Sequence, residues 1–171
     1  MKITRFEDIR AWQEARTLVK LVYDVINNSK NFLKDFRLVN QIQGAAVSSM
    51  SNIAEGFARK SNKEFIQFLF ISKSSAAEVQ SQLYVALDQM YMTQESFDTI
   101  YAQCEKVSKM DSAFIKYLNT QLKQQTKPRH PNKPNGLNKL KQLNEPEQPN
   151  KLNEPNKPNE PNKPNEPNEL K

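Results

Sequence analysis

The sequence predicts an all-α protein: an antiparallel up-down four-helix bundle in residues 1–125, followed by a disordered tail in residues 126–171. Apolar residues recur at helical spacing throughout the first part. That part has no proline and only two glycines, Gly44 and Gly56, whereas strands joined by tight turns need more of both. All 10 prolines lie in the tail. The core is therefore expected to end near residue 125.

The first helix is predicted from an apolar stripe that begins just after a candidate capping box. In that box Thr4 and Glu7 each bond an otherwise unpaired backbone N–H group. Three polar residues, Asn27, Asn28 and Ser29, suit the end of the helix. The stripe consists of Ile9, Trp12, Ala15, Val19, Val22 and Ile26.

The second helix is predicted from about Asp35 to Arg59, and its apolar surface is broad. The main stripe consists of Leu38, Ile42, Ala45, Ser49, Ile53 and Phe57. It is widened by Val39, Ala46, Val47, Met50 and Ala54. The combined surface exceeds the stripe of about 100° that one helix of an isolated bundle needs.

The third and fourth helices each follow a predicted N-cap. Ser61 and Glu64 form a second capping box, and Thr93 suits the start of the fourth helix. The main stripe of the third helix is Phe65, Leu69, Ser72, Ala76, Val79, Leu83, Leu87 and Met90, with Ile66, Phe70, Ala77 and Tyr84 beside it. The stripe of the fourth is Phe97, Tyr101, Cys104, Val107, Phe114, Leu118 and Leu122. Short connections favour antiparallel neighbours.

The surplus apolar surface of the second and third helices predicts self-association, because an isolated bundle does not need it. The alternative is a tightly packed monomer with scattered apolar residues on its surface, which are normal in soluble proteins. The tail repeats the pattern NEPNKP from Asn153. Its prolines and its Asn, Lys and Glu residues offer nothing to bury, so it is expected to be a spacer or a solubilising extension.

The composition limits the compartment and the class of function. A single cysteine provides no disulfide framework, the first residues are too charged for a signal peptide, and no apolar run is long enough to span a membrane. The chain is expected to be cytoplasmic. A net charge of +6 permits nucleic-acid or acidic partners without requiring them.

Catalytic and metal-binding patterns are absent from the sequence of the bundle. The one histidine, His130, lies in the tail, and Cys104 lies on an apolar stripe, where a packed thiol is expected. No glycine-rich phosphate loop or spaced acidic cluster occurs. We therefore expect no enzyme activity, no cofactor and no metal.

Three carboxylates have structural interpretations. Glu55 and Glu78 would form a pair only if the second and third helices aligned them, whereas Arg59 lies four residues after Glu55 and suits an ion pair. Asp111 falls on the apolar face of the fourth helix. Because a buried carboxylate needs a partner, we expect it to bond a Tyr, Lys or Arg of an adjacent helix or to lie at the edge of the stripe.

The connection GFARKSNKEF is the leading candidate for a binding site. Arg59, Lys60 and Lys63 cluster where the third helix begins with unpaired N–H groups, and such a place suits anions. The alternative is a solvated loop. Further basic residues on polar faces are secondary candidates for phosphate contacts: Arg16, Lys20, Arg37 and Lys73.

Several motifs resemble those of a bacterial family, the 23S ribosomal RNA intervening-sequence proteins, whose relatives include the accessory variability determinant of diversity-generating retroelements. The motifs are AAVS at 45–48, SNIAEG at 51–56, the EF..FL.I pattern at 64–71, and Ala77-Glu78 with Gln82-Leu83. Trp12, Ala15, Leu18 and Val22-Tyr23 also fit, whereas Gly44 stands where the family commonly has arginine.

The resemblance implies a four-helix bundle, commonly a homopentameric ring. In the retroelement relatives it implies a basic protein that binds nucleic acid and a reverse transcriptase. We therefore expect a non-enzymatic, pentameric homo-oligomer that binds RNA or DNA, as an accessory to an RNA-processing or reverse-transcribing enzyme. The alternative is a protein–protein interaction scaffold without affinity for nucleic acid.

Overall fold

The computed structural model of the protein describes residues 3–126. Four helices form this part: α1 (Arg10–Asn27), α2 (Phe36–Ala58), α3 (Asn62–Asp88) and α4 (Gln94–Thr126). Two 3₁₀ turns, Phe6–Asp8 and Phe32–Lys34, precede α1 and α2. No strand occurs in residues 3–126, which confirms the predicted all-α bundle. The predicted disordered tail lies outside the described residues.

The helices are arranged in sequence order around the bundle. Each packs against the next, and α4 closes the bundle against α1, so that α1 and α3 occupy opposite corners. Polar contacts join α1 to α4: Gln103 donates a 2.8 Å hydrogen bond to the backbone oxygen of Glu14, and Lys106 pairs with the Glu14 carboxylate at 2.8 Å. The α2–α3 connection, Arg59–Ser61, lies at the end of the bundle where α4 finishes.

The core follows the predicted stripes with a small rotation of α1. Leu18 and Ala11 are buried there, whereas Trp12 and Val19 are only partly buried. The central residues of the other stripes are buried as predicted, including Ile42, Ile53, Leu69, Val79, Leu83, Cys104 and Val107. Because apolar side chains from all four helices meet in one cluster, residues within 3–126 supply a complete core.

Three predicted N-caps have different outcomes. Ser61 accepts a hydrogen bond from the Glu64 amide at 3.2 Å, and its hydroxyl donates to the Glu64 carboxylate at 2.6 Å. Thr93 accepts from the Ser96 amide at 3.2 Å, as predicted. The prediction of a capping box formed by Thr4 and Glu7 is wrong. The carboxylate that reaches back to the Thr4 amide, at 3.2 Å, belongs to Asp8, because the intervening 3₁₀ turn brings that residue over Thr4.

The end of α3 corrects the predicted stripe. Met90 was expected in the core but is 87% exposed. The helix ends at Asp88, and Met90 takes the left-handed conformation with φ of 55°. Its amide bonds the oxygen of Leu87 at 2.8 Å, and the Tyr91 amide bonds that of Ala86 at 2.9 Å. This Schellman-type closure turns the Met90 side chain into solvent.

Candidate nucleic-acid interface

The α2–α3 connection contains two of the three leading cationic residues, Arg59 and Lys60, and the third, Lys63, lies in the first turn of α3. Arg59 and Ser61 have extended backbones, so the chain leaves α2 and enters α3 within three residues. The Arg59 amide bonds the oxygen of Gly56 at 3.1 Å, which closes the last turn of α2. The connection is therefore only three residues long, and it keeps the backbone of Arg59 and Lys60 at the surface.

Gly56 permits the close approach of α3 to α2 beside this connection. A Cβ atom on Gly56 would lie 2.5 Å from Cδ2 of Phe65 and 2.7 Å from Cβ of Phe68. Atoms do not approach that closely without displacement, so a side chain at this position would push the first turns of α3 away. The absence of a side chain thus sets how closely the connection lies against the bundle.

Arg59 is engaged within the protein. Its guanidinium group pairs with the Glu55 carboxylate, which confirms the predicted ion pair, and it lies 4.7 Å from the centre of the Phe68 ring. Its side chain is 42% exposed. The carboxylate and the ring face would compete with any phosphate for this cation.

Lys60 and Lys63 are two available cations at this end. Both are exposed, and neither makes an ion pair with a residue in the described part of the chain. The Asn62 and Lys63 amides are in the first turn of α3 and have no partner within the helix. Two ammonium groups beside a helix N-terminus attract an anion through both charge and hydrogen bonding.

A groove beside the connection, the Tyr117 groove, has a volume of about 680 Å³. The side chains around it combine aromatic rings from three helices with polar and cationic groups. They are Ile3, Phe57, Arg59, Lys60, Ser61, Asn62, Phe65, Phe114, Tyr117 and Leu118. This groove was not predicted from the sequence, because the residues that line it are distant from one another along the chain. The available signal was Tyr117, an aromatic residue on a polar part of α4.

The secondary cationic candidates are dispersed over the bundle. Arg16 and Lys20 lie one turn apart on α1 beside a shallow cavity of about 270 Å³, and Lys20 pairs with Asp24 at 2.5 Å. Arg37 lies in the first turn of α2, about 33 Å along that helix from Arg59. The predicted set of seven cations therefore does not form one surface within a single chain.

Lys73 is half-buried on α3 and lines a cavity of about 430 Å³ between α3 and α4. The same cavity contains Glu105 and Lys109, which pair with each other at 2.9 Å. A carboxylate beside Lys73 and the partial burial of its side chain reduce its value as a phosphate contact. Lys73 also lies within electrostatic range of the buried Asp111.

Asp111 is completely buried, and its partner differs from the expected one. Ser72 donates a 2.7 Å hydrogen bond to Oδ2 of Asp111, and the Ser72 hydroxyl is 3.2 Å from that of Ser49. No described Tyr, Lys or Arg bonds this carboxyl group, so the predicted partner was wrong. Two serines on the stripes of α2 and α3 are small enough to leave room for it. Burial raises the pKa of Asp111 to about 7.

Glu55 and Glu78 make separate structural bonds, as the structural interpretation of these carboxylates predicted. Glu78 accepts a 3.1 Å hydrogen bond from Gln82, whereas Glu55 pairs with Arg59. Ser48 of α2 lies opposite Ser75 of α3, with their hydroxyl oxygens 2.9 Å apart. Because the two helices are antiparallel, Glu55 lies on the side of this contact towards the start of α3, whereas Glu78 lies on the side towards its end. The two carboxylates are therefore separated along the bundle. In residues 3–126 no group of three metal-binding side chains occurs, and no helix there is long and apolar enough to cross a membrane.

Comparison with known proteins places this geometry in a family. The family model of the 23S rRNA-intervening sequence protein matches residues 7–113. The chain belongs to this family. The match contains the SNIAEG motif, Gly56 and the whole α2–α3 connection, and it ends before Tyr117. No curated protein matches the chain.

A solved structure supports the same assignment. It is a crystal structure of a protein of unknown function from the S23 ribosomal protein family of Bacteroides thetaiotaomicron. The TM-score is 0.53 at 25% sequence identity, and the match covers 62% of this chain and 94% of that chain. The resemblance to this family, inferred from short motifs, is thus confirmed in both sequence and fold.

Proposed function

We propose that this member of the family is a non-enzymatic, cytoplasmic homo-oligomer that binds RNA through phosphate contacts. The observation that carries the proposal is the pair of exposed ammonium groups, Lys60 and Lys63, beside the unpaired amides of the first turn of α3. The family name, which refers to an intervening sequence of ribosomal RNA, supports RNA as the nucleic acid.

The physical basis is electrostatic. Each phosphate that a protein neutralises releases counterions, so affinity rises steeply with the number of cations engaged and falls with salt. Two lysines per chain form a small site. A ring of subunits repeats the pair around its circumference, and a pentamer, the number that the family resemblance implies, presents ten such lysines. Binding is therefore expected to depend on assembly.

Self-assembly is supported by an apolar line along the outer face of α3. Phe70 is 48% exposed and Tyr84 is 51% exposed, two heptads apart on one side of the helix, and Ile71 and Val85 lie beside them at 46% each. Small side chains between them, such as Ala77, allow a close approach. An apolar strip of this length suits a second copy of the chain.

Charge reversal tests the RNA site. The double variant Lys60→Glu/Lys63→Glu is expected to weaken binding of a generic RNA duplex by at least tenfold at low salt and to reduce the salt slope. Lys30→Glu/Lys34→Glu is the matched control, because it changes the net charge equally at the opposite end of the bundle. Fluorescence anisotropy measures the affinity, and light scattering and circular dichroism check oligomeric mass and helicity.

Equal losses of RNA affinity in the two double variants would show that only the net charge matters and would reject this site.

The second candidate function is a protein–protein interaction scaffold without nucleic-acid affinity, and the exposed apolar line of α3 favours it. Absence of RNA binding by the parent protein at low salt would support the scaffold. In the RNA-binding function, the partner is an RNA-processing or reverse-transcribing enzyme that the bundle assists.

A further inference from the structure

We propose that the Tyr117 groove binds one unpaired nucleotide of an RNA strand, with the base stacked on the Tyr117 ring and its phosphate held by Lys60. This inference rests on the proposed RNA-binding function and assigns it a preference for single-stranded over duplex RNA. It concerns a residue beyond the region that the family model matches, which ends at residue 113.

The groove presents an aromatic platform that is rigid on its inner side. The Phe65 ring is buried and packs edge-on against Phe114 at 5.0 Å between ring centres. The Tyr117 ring follows at 6.2 Å from Phe114, and its side chain is 57% exposed. Buried rings thus support an exposed ring that has room for a partner. Stacking of a base on such a ring tolerates every base, because each has a π-face.

The polar lining of the groove suits a nucleotide rather than a purely apolar ligand. Its charged members, Arg59 and Lys60, are both cations, and no carboxylate lines the groove. Because Arg59 is paired with Glu55 outside the lining, Lys60 is the cation left for a phosphate. Asn62 is half-buried at the same place, and its side-chain amide can both donate to and accept from the edge of a base. The cations, the amide and the aromatic rings of the groove correspond to the phosphate, the edge and the face of a nucleotide.

The shape of the groove selects an unpaired base. Its volume of about 680 Å³ lies within the range of sites for small ligands, roughly 300–1,000 Å³. A base in an A-form duplex is stacked between its neighbours and cannot enter a side-chain pocket, whereas bases of loops and single strands can splay outwards. A duplex would therefore contact only the cations at the rim.

Three fluorescein-labelled probes separate these contributions with the full-length protein: a 12-nucleotide oligouridine, the same backbone with abasic sites, and a 12-base-pair RNA duplex. The parent protein is expected to bind oligouridine at least fivefold more tightly than the abasic strand, the lower limit for one stacked base. Tyr117→Leu is expected to abolish that difference and to leave duplex binding unchanged. Tyr23→Leu is the control, because Tyr23 is also an exposed tyrosine but lies near the C-terminal end of α1, towards the opposite end of the bundle from the groove.

Photocrosslinking gives a second, independent measurement. An oligouridine with one 5-bromouridine is expected to crosslink to Tyr117 or Phe114 in the parent protein, as mapped by mass spectrometry, and much less in Tyr117→Leu. Equal affinity for oligouridine and the abasic strand, or crosslinks confined to other helices, would overturn the proposal. If those results accompany normal salt-dependent duplex binding, the RNA-binding function stands and only the base site is rejected. Absence of binding to all three probes rejects both.

Discussion

Ser72 on α3 donates a 2.7 Å hydrogen bond to Oδ2 of Asp111 on α4, and both side chains are completely buried. The other carboxyl oxygen, Oδ1, has no hydrogen-bond partner among the described residues. Burial raises the pKa of Asp111 to about 7, while the Ser72 bond and the charge of Lys73 act in the opposite direction. A carboxyl group in the middle of this bundle is therefore protonated below neutral pH.

The raised pKa predicts that the contribution of Asp111 to stability becomes less favourable as pH increases from about 4 to 7. Below the ordinary pKa of 3.8 Asp111 is protonated in both the folded and unfolded states. Between the two pKa values only the unfolded state ionises, which costs the fold about 1.4 kcal/mol per pH unit and roughly 4 kcal/mol in total. Asp111→Asn removes this contribution. Urea unfolding at constant protein concentration measures both proteins across pH 4–8.

In that series the stability of Asp111→Asn relative to the parent is expected to rise from pH 4 to pH 7 and then to level off. Taking the difference between the two proteins cancels the titration of other carboxylates, such as Glu14, whose pKa is lowered by its bonds to Lys106 and Gln103. A pH-independent difference between the two proteins would contradict the raised pKa.

The two glycines of α2 provide a matched pair of substitutions. Gly56→Ala is expected to destabilise the bundle by about 1–3 kcal/mol, because its Cβ would lie 2.5 Å from the Phe65 ring. Gly44→Ala is expected to stabilise it by about 0.5–1 kcal/mol, since a Cβ there meets nothing within 4 Å and alanine favours the helix. Thermal unfolding by circular dichroism compares them. Similar shifts of the same sign would refute the close approach at Gly56.

The left-handed Met90 predicts a stabilising substitution to glycine. An L-residue at φ of 55° is strained by roughly 1–2 kcal/mol relative to glycine, and the exposed Met90 side chain contributes little packing in return. Met90→Gly is therefore expected to raise the free energy of unfolding by about 1 kcal/mol, as measured by urea denaturation. Gln89→Gly, at a residue with φ of −82°, is the control and should not stabilise the protein.

Cys104 is expected to be chemically inert in the folded protein. It is completely buried, and burial raises the pKa of its thiol to about 12. Since the thiolate is the reactive species, a disulfide reagent such as dithiobis-nitrobenzoate should react very slowly at pH 8 and rapidly in urea. Rapid reaction without denaturant would show that α4 opens readily at this position.

The apolar line of α3 predicts how the oligomer can be broken. Phe70→Glu/Tyr84→Glu places two charges on this line and is expected to reduce the mass in light scattering from a multiple of the 19.8 kDa chain to a single chain. Helicity should be retained, because both side chains are about half exposed. A monomeric parent protein would reject self-assembly, and an unchanged oligomer in the variant would place the contact elsewhere.

Much of the fold could be predicted because helical periodicity and caps are local properties of the chain. The stripe from Leu38 to Ile53 and the Ser61 and Thr93 caps each depend on residues within a few turns. The same locality produced the errors. Met90 continues the period of α3, but the closure of the helix end turns it outwards, and Glu7 lost its capping role when a 3₁₀ turn brought Asp8 over Thr4.

The sequence by itself determined the class of the protein, the number of helices and the family, because composition, period and short motifs carry that information. Only the tertiary structure decided which groups meet. The register of α2 against α3 separated Glu55 from Glu78, and the packing of α4 against α3 joined Asp111 to Ser72 and placed Tyr117 beside Lys60. Such contacts depend on where whole helices cross and how they are rotated about their axes. These positions result from many weak packing interactions, which leave no local signal in the chain.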